Sequence, residues 1–193
     1  MEQKTIVRIP QDRVGVLIGP KGKTRRQLES ILKADLLIES ESGNVTITLR
    51  PEQTDVSMIL TSKDIVKAIA RGFSPERALT LLDEDNQLII MNLEDYVGNN
   101  RNAQGRVKGR IIGKEGKSRD MMEDLTECIM SVYGHTVAII GPFDRLPIAK
   151  EAVEMLLDGS FHKTVWNHLY AYRRRVKQER GELWYEPKRR RSE

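Results

Sequence analysis

The chain contains one segment twice, 94 positions apart, and this repeat limits the possible folds more than any other feature. Residues 15–29 read GVLIGPKGKTRRQLE and residues 109–123 read GRIIGKEGKSRDMME, with seven identical positions. Each copy holds a Gly-x-x-Gly, a pattern that a chain of this length contains about once by chance. Two occurrences, each flanked by the same pattern of apolar and basic residues, exceed that expectation. The repeat therefore predicts two similar structural units.

The residues around each copy predict the same order of elements. For the first copy we expect a strand at 5–9, helices on both sides of the glycines, strands at 36–39 and 45–49, a long helix from residue 62 and a short one from residue 74. For the second we expect a strand at 87–91, a loop at 98–105, helices at 106–112 and 117–127, strands at 128–132 and 136–140, and a helix at 146–157. Each unit is thus predicted to be α+β with the order β-α-α-β-β-α, its three-stranded antiparallel sheet covered on one face by helices.

The C-terminal part predicts one more helix. Val165, Leu169, Tyr172 and Val176 share a helical face, so a helix over 161–180 is expected to dock on the second unit. The predicted boundaries are 1–82 for the first unit, 83–180 for the second with its C-terminal helix, and 181–193 for a basic tail.

Composition excludes several classes of protein. Of the 193 residues 39% are hydrophobic and 31% charged, which is typical of a globular protein. No apolar run approaches the roughly 18 residues of a membrane span, so no membrane partner is expected. The single cysteine, Cys128, excludes a disulfide framework and is typical of a reducing, cytoplasmic setting. The three histidines lack the spacing of a helical zinc site. No metal, cofactor or catalytic residue is predicted.

Positive charge is concentrated around the repeats. Residues 101–119 hold seven basic residues and one acid, and residues 21–26 hold four basic residues, whereas residues 51–100 hold nine acids and four basic residues. Basic patches on a protein whose acidic and basic residues otherwise nearly balance are typical of a surface that binds a polyanion. A solvated face has the same composition, so charge alone does not decide the function.

The glycine motifs favour phosphate binding. Between two helices, a Gly-x-x-Gly lets the backbone turn tightly and approach a ligand, and the amides of the loop and the start of the next helix offer N–H donors. Both sequences lack the glycine that a triphosphate or dinucleotide loop requires, because Leu17 and Ile111 stand there. A single-stranded nucleic acid is the expected ligand, since no helix is available for a duplex groove. The predicted binding residues are Ile18, Gly19, Pro20, Lys21, Gly22, Lys23 and Arg25 in the first copy and Arg110, Ile112, Gly113, Lys114, Glu115, Gly116, Lys117 and Arg119 in the second.

The two glycine segments resemble the signature of the KH domain, type I, in tandem. Together with ARGFSPERALTLL at residues 70–82, they are similar to the small-subunit ribosomal RNA processing family, whose eukaryotic members partner the endonuclease that trims the 3′ end of that RNA. The resemblance implies a non-catalytic protein that binds single-stranded small-subunit rRNA near its 3′ end, with an rRNA-maturing endonuclease or a translation initiation factor as candidate protein partner. Eukaryotic members have usually lost the first glycine loop. Here Gly19 and Gly22 are intact, and in this respect the chain resembles an archaeal member of the family.

Two other functions fit the same residues. One is a protein adaptor in translation or ribosome assembly that uses one unit as a docking surface. The other is a single-stranded DNA binder, which would use the same surface. Among the acids, Glu29 and Glu123 occupy equivalent positions and are predicted to pair with Arg25 and Arg119, four residues earlier.

Overall fold

The predicted element order is present in both halves of the structure, a computed structural model that describes residues 4–51, 53, 55 and 57–183. The elements of the first unit are β1 (Lys4–Arg8), α1 (Gln11–Ile18), α2 (Lys23–Leu32), β2 (Ala34–Glu39), β3 (Asn44–Leu49), α3 (Met58–Ala70) and α4 (Pro75–Ala78). Those of the second are β4 (Asn86–Asn92), α5 (Glu94–Val97), α6 (Arg101–Ile112), α7 (Lys117–Thr126), β5 (Ile129–Tyr133), β6 (Thr136–Pro142), α8 (Leu146–Leu157) and α9 (His162–Leu183). The α+β prediction is confirmed.

The first sheet has one covered and one open face, as predicted. Its antiparallel order is β1-β3-β2. Alternate residues such as Val45 and Ile47 are fully buried beneath the helices. On the opposite face Thr46 lies between Ile6 and Leu37, and both of these apolar side chains are 60% exposed. The open face of this sheet therefore presents apolar surface.

The second sheet is buried on both faces, and helices of its own unit cover one of them, as predicted. Its order is β4-β6-β5, and Val137 and Ile139 of β6 pack into the core of the second unit. The alternating residues Ala138 and Ile140 instead join the buried cluster of the first unit, which includes Phe73. Because successive side chains point to opposite faces, one strand supplies both cores. The first unit thus covers the second sheet.

Close backbone contacts hold the two units together. Ser131 Oγ donates a hydrogen bond to the carbonyl of Arg71 at 2.9 Å. Gly72 follows at φ +99°, and a Cβ there would lie 2.7 Å from Cβ of Tyr133. The Tyr133 hydroxyl donates to Asp12, and burial followed by this hydrogen bond raises the pKa of that hydroxyl. Only glycine fits at position 72, because the second unit occupies the space of a side chain.

An ion pair joins the units beside this contact. Arg77 Nη2 lies 2.5 Å from Glu123 Oε1, and the same oxygen accepts the Met130 N–H at 2.5 Å. In the first unit the equivalent Glu29 accepts from Arg25 at 2.9 Å and from a strand N–H at 3.0 Å. The predicted Arg25–Glu29 pair is therefore present. The corresponding prediction for Glu123 is wrong, because the arginine of the first unit takes the place of Arg119.

We expect Arg77→Met to lower the free energy of unfolding of the whole chain by about 1–2 kcal/mol. This value lies between those of surface and buried ion pairs, because the side chain of Glu123 is only 19% exposed. Chemical denaturation measures the loss, and both units should unfold in one transition. The matched control is Lys67→Met, which removes an exposed pair with Asp64 inside one helix and should cost less than about 0.5 kcal/mol. Equal losses in the two variants would contradict a stabilising role for the inter-unit pair.

The second glycine loop is preceded by a longer helix than predicted. The expected loop at 98–105 contains the first turn of α6, and α5 precedes it. Asn100 caps α6, since its side-chain oxygen accepts the N–H of Asn102 at 3.0 Å and of Ala103 at 3.2 Å. Gly105 lies inside the helix at a cost of about 1 kcal/mol relative to alanine, which the cap offsets.

The C-terminal helix docks on the second unit, as predicted. Val165 and Leu169 of α9 are fully buried, and α9 packs on α7 and α8. The helix extends to Leu183, so the predicted tail at 181–193 begins within it; residues 184–193 lie outside the described residues. Among the residues that the structure describes, no helix is long and apolar enough to cross a bilayer.

Candidate nucleic-acid interface

The two glycine loops have the same backbone conformation. Each begins with a glycine at φ near +70° and extended ψ, namely Gly19 at 69°/175° and Gly113 at 73°/179°. Each ends with a left-handed glycine, Gly22 or Gly116, that starts the following helix. The residue before that last glycine is also left-handed in both loops. The repeat in sequence is therefore a repeat in geometry.

The two glycines of each loop have different roles. A Cβ at Gly19 would lie 2.6 Å from Cβ of Thr24, and one at Gly113 would lie 2.6 Å from Cβ of Ser118. The backbone conformation of these first glycines is accessible almost only to glycine. At the last glycine of each loop the nearest atoms are instead ends of arginine side chains. The first glycine of each loop is thus required by the fold. Of the last glycines, Gly22 is partly exposed, whereas Gly116 is buried, with Arg119 Nη2 only 3.3 Å from the position of a Cβ.

Fewer loop amides are available for a phosphate than the sequence predicts. In the first loop the Gly22 N–H donates to the Gly19 carbonyl at 3.1 Å, and the Lys23 N–H donates to Pro20. The second loop repeats both contacts. The remaining donors for an anion are the first-turn amides of α2 and α7 and the lysine side chains.

Exposed lysines surround both loops. Lys21 and Lys23 of the first loop and Lys114 and Lys117 of the second are exposed, as are Pro20 and Glu115 at the variable positions. Lys117 is 3.7 Å from Glu115, and both side chains are at least 70% exposed, so this pair is weak.

The two predicted arginines of α2 and α7 have acidic partners. Arg25 lies on Glu29, and Arg119 lies 2.9 Å from Asp120. Both guanidinium groups stay partly exposed, at 43% and 36%. They can therefore still contact a phosphate at the edge of the loop.

Arg110 has a structural role in this structure. Its guanidinium donates to the carbonyl of Leu156 at 2.8 Å and to that of Ser160, which fixes the turn between α8 and α9. His162 Nε2 in turn bonds the Arg110 carbonyl at 2.8 Å. Because both of its terminal nitrogens donate to these carbonyls, Arg110 is placed to hold the C-terminal helix rather than a phosphate. The sequence prediction did not include this contact.

The apolar residues of the motifs divide between core and surface. Leu17 and Ile111 are fully buried, whereas Ile18 and Ile112, the next residues, are half-buried beside the loops. Of these four residues, Ile18 and Ile112 are the ones positioned to contact a ligand.

The remaining candidate groups are structural. His135 Nδ1 lies 2.6 Å from the side-chain oxygen of Gln104, and His168 lies 3.1 Å from Glu151. Burial raises the pKa of the Cys128 thiol to about 11, so it is a thiol and not a nucleophile at neutral pH. Within residues 4–51, 53, 55 and 57–183, no three His, Cys, Asp or Glu side chains are grouped to hold a metal ion.

Two residues beside the second loop were not predicted from the sequence. His162 and Trp166 of α9 line a cavity together with loop residues. The helical period of residues 161–180 indicated a docked helix, but not where it docks. Nothing in the sequence placed these two rings beside Lys114.

Comparisons with known proteins agree with this architecture. The KH domain profile matches residues 4–67, and the profile of the eukaryotic type KH domain (KH-domain type I) matches residues 87–174. A KH domain-containing protein of Methanocaldococcus jannaschii is 47% identical over 93% of this chain and 78% of its own length. The pre-rRNA-processing protein PNO1 of Coccidioides immitis is 28% identical over 89% of this chain and 68% of its own length.

Solved structures match over nearly the whole chain. A chain of the a/eIF2alpha-aDim2p-rRNA complex from Pyrococcus horikoshii has a TM-score of 0.86 and 44% identity, covering 91% of this chain and 96% of that one. Dim2p from the same organism has a TM-score of 0.83 and 46% identity, covering 88% and 99%. The chain therefore belongs to the family of tandem KH-domain proteins that includes Dim2p and PNO1.

Proposed function

We propose that the chain is a non-catalytic protein that holds single-stranded small-subunit rRNA, near its 3′ end, on both glycine loops during ribosome assembly in the cytoplasm. The observation that carries this proposal is the pair of loops with one backbone conformation, each surrounded by exposed lysines. Its RNA class is supported by the relative that was solved with rRNA and by the relative named for pre-rRNA processing.

Each loop holds the backbone of the RNA. The lysines and the first turn of the following helix attract phosphates, and the half-buried Ile18 and Ile112 border the path of the bases. The second loop contributes more electrostatic affinity, because residues 101–119 are strongly basic. The residues proposed for binding are those of the sequence prediction without Arg110.

We expect Lys114→Asp to weaken RNA binding roughly tenfold, since it replaces one phosphate contact by a repulsion. The slope of log affinity against log salt should fall by about one. Fluorescence anisotropy with a 3′-terminal fragment of small-subunit rRNA at several salt concentrations measures both quantities. Unfolding curves confirm that the variant is folded.

The control for this experiment is Lys33→Asp. It makes the same change in charge at the opposite end of α2 from the first loop, and its left-handed backbone accepts aspartate. Its affinity and salt slope should stay near those of the wild type. If both variants bind equally well, the second loop is not a phosphate site and the proposal fails there.

A second candidate function is that of a protein adaptor, and the open sheet of the first unit favours it. Ile6 and Leu37 expose apolar surface there, whereas the second sheet is covered on both faces. A translation initiation factor is the partner that the solved relative suggests, and an rRNA-maturing endonuclease is the alternative. A pull-down with and without ribonuclease separates the functions, because an adaptor contact survives removal of RNA and an RNA-bridged contact does not.

A further inference from the structure

We infer that the cleft between the second glycine loop and helix α9 is a pocket for one nucleobase, in which Trp166 stacks on a base of the bound RNA. The inference rests on the proposed function, because the same RNA strand supplies the phosphate held by the loop. We call this feature the loop–helix cleft. Besides Gly113 of the loop, its lining residues are Lys114, Lys117, Ser118, Met121, His162 and Trp166.

Helix α9 gives the second loop a neighbour that the KH repeat itself does not supply. α9 packs along α7, the helix that starts at the second loop. In the first unit the corresponding helix α2 packs on α1 and β2, and its first turn is at least partly exposed. The loop–helix cleft is therefore specific to the second unit, although both loops have the same backbone.

The position of α9 is fixed from within the RNA-binding motif. Arg110, three residues before Gly113, donates to the carbonyls of Leu156 and Ser160. His162, in the first turn of α9, bonds the carbonyl of Arg110 at 2.8 Å. These reciprocal contacts join the last turn of α6 to the first turn of α9. Trp166 lies one helical turn after His162, so it is held beside the loop.

The dimensions and chemistry of the loop–helix cleft suit a nucleobase. Its volume is about 270 Å³, and it is open to solvent on one side. Trp166 and Met121 supply apolar surface, and both are half-buried. The rings of Trp166 and His162 are 5.8 Å apart and tilted by 44°, so they do not stack on each other. An aromatic side chain beside a phosphate site is a common way to hold an unpaired base.

The charges select RNA over other occupants. Lys114 and Lys117 are exposed at the cleft, and the pair of Lys117 with Glu115 is weak, so a neutral apolar ligand would leave most of this positive charge unused. A nucleotide satisfies the cleft completely, with its phosphate on the lysines and its base on Trp166. An acidic peptide would use only the lysines unless it also carried an aromatic side chain.

The first test observes Trp166 directly in the full chain. Trp184→Phe leaves Trp166 as the single tryptophan, and its fluorescence is followed while a 3′-terminal fragment of small-subunit rRNA is added. Stacking on a base should quench this fluorescence in step with the anisotropy signal of RNA binding. An RNA of the same length that lacks all bases should bind through its phosphates without quenching.

The second test measures affinity. Trp166→Leu should weaken binding about tenfold and leave the salt slope unchanged, because it removes a stack and not a phosphate contact. Trp166→Phe, which keeps an aromatic face, should recover part of the affinity, and it serves as the folded variant if leucine destabilises α9. The control is Phe143→Leu, the same kind of change at a side chain that is 64% exposed and does not line the cleft.

A set of RNAs, each lacking one base, identifies the nucleotide. The wild type should bind one of these RNAs about tenfold less tightly than it binds the intact RNA. The Trp166→Leu variant should bind that same RNA and the intact RNA equally well. Suppose that Lys114→Asp weakens binding, that Trp166→Leu binds like the wild type, and that RNA does not quench the fluorescence of Trp166. The proposal of a base pocket is then wrong, and the RNA function stands. If Lys114→Asp also has no effect, the RNA function of this loop fails, and the pocket fails with it.

Discussion

Gly113→Ala is expected to cost about 2–4 kcal/mol in stability and to remove most of the RNA affinity of the second unit. Its backbone conformation costs about 1–3 kcal/mol for any residue other than glycine. The new Cβ would also lie 2.6 Å from Cβ and 2.8 Å from the backbone nitrogen of Ser118. The loop must therefore change shape, which displaces Lys114 and the first turn of α7 from the phosphate path. Denaturation curves and anisotropy titrations measure the two effects.

Gly105→Ala is the matched control, because it makes the same substitution in the helix that leads to the loop. An added Cβ there meets no atom within 4 Å, and its backbone is helical. It should raise stability by about 0.5–1 kcal/mol and leave RNA affinity unchanged. A Gly113→Ala variant that binds RNA like the wild type would show that the shape of the second loop is unimportant for binding.

The second large effect concerns the junction of the two units. Phe73→Ala is expected to destabilise the chain by about 3–5 kcal/mol, since Phe73 is 1% exposed and lies in the buried cluster that continues into the second sheet. This is a large fraction of the 5–15 kcal/mol of a typical domain. Denaturation followed by circular dichroism measures the loss.

Phe143→Ala, which removes an exposed side chain, is the control for this variant and should change the free energy of unfolding by less than about 0.5 kcal/mol. Because one buried cluster serves both units, Phe73→Ala should lower the transition of the entire chain. If the second unit kept its wild-type stability while the first unfolded, the shared core would not couple them.

The local architecture was predictable because its signals lie in short segments. The repeated glycine motif, the alternating strand at 5–9 and Ser74-Pro75 each define a structure within a few residues. The Ser74 hydroxyl does accept the Arg77 N–H at 3.3 Å. The start of α6 was not predictable in this way, because the glycines and asparagines at 98–105 are typical of a loop, although Asn100 caps the helix.

The relation between the units was not predictable in the same way. Residues 137–140 form an uninterrupted apolar run, the pattern of a strand that is buried on both faces. The sequence contains no sign of which element covers the second face. For the same reason the partners of Arg110 and Glu123 were unexpected, because each contact joins segments more than 40 residues apart. Contacts between residues far apart in the chain depend on tertiary packing, which the spacing of residues along the sequence does not specify.

The stacked second sheet has a consequence for the length of RNA that the protein accepts. A flexible tether would let two binding loops adapt to any spacing along a strand. Here side-chain packing and the Arg77–Glu123 contact set the distance between the loops. If one strand occupies both loops, as proposed above, this packing sets the number of nucleotides between its two contacts, and an insertion or deletion there should weaken binding.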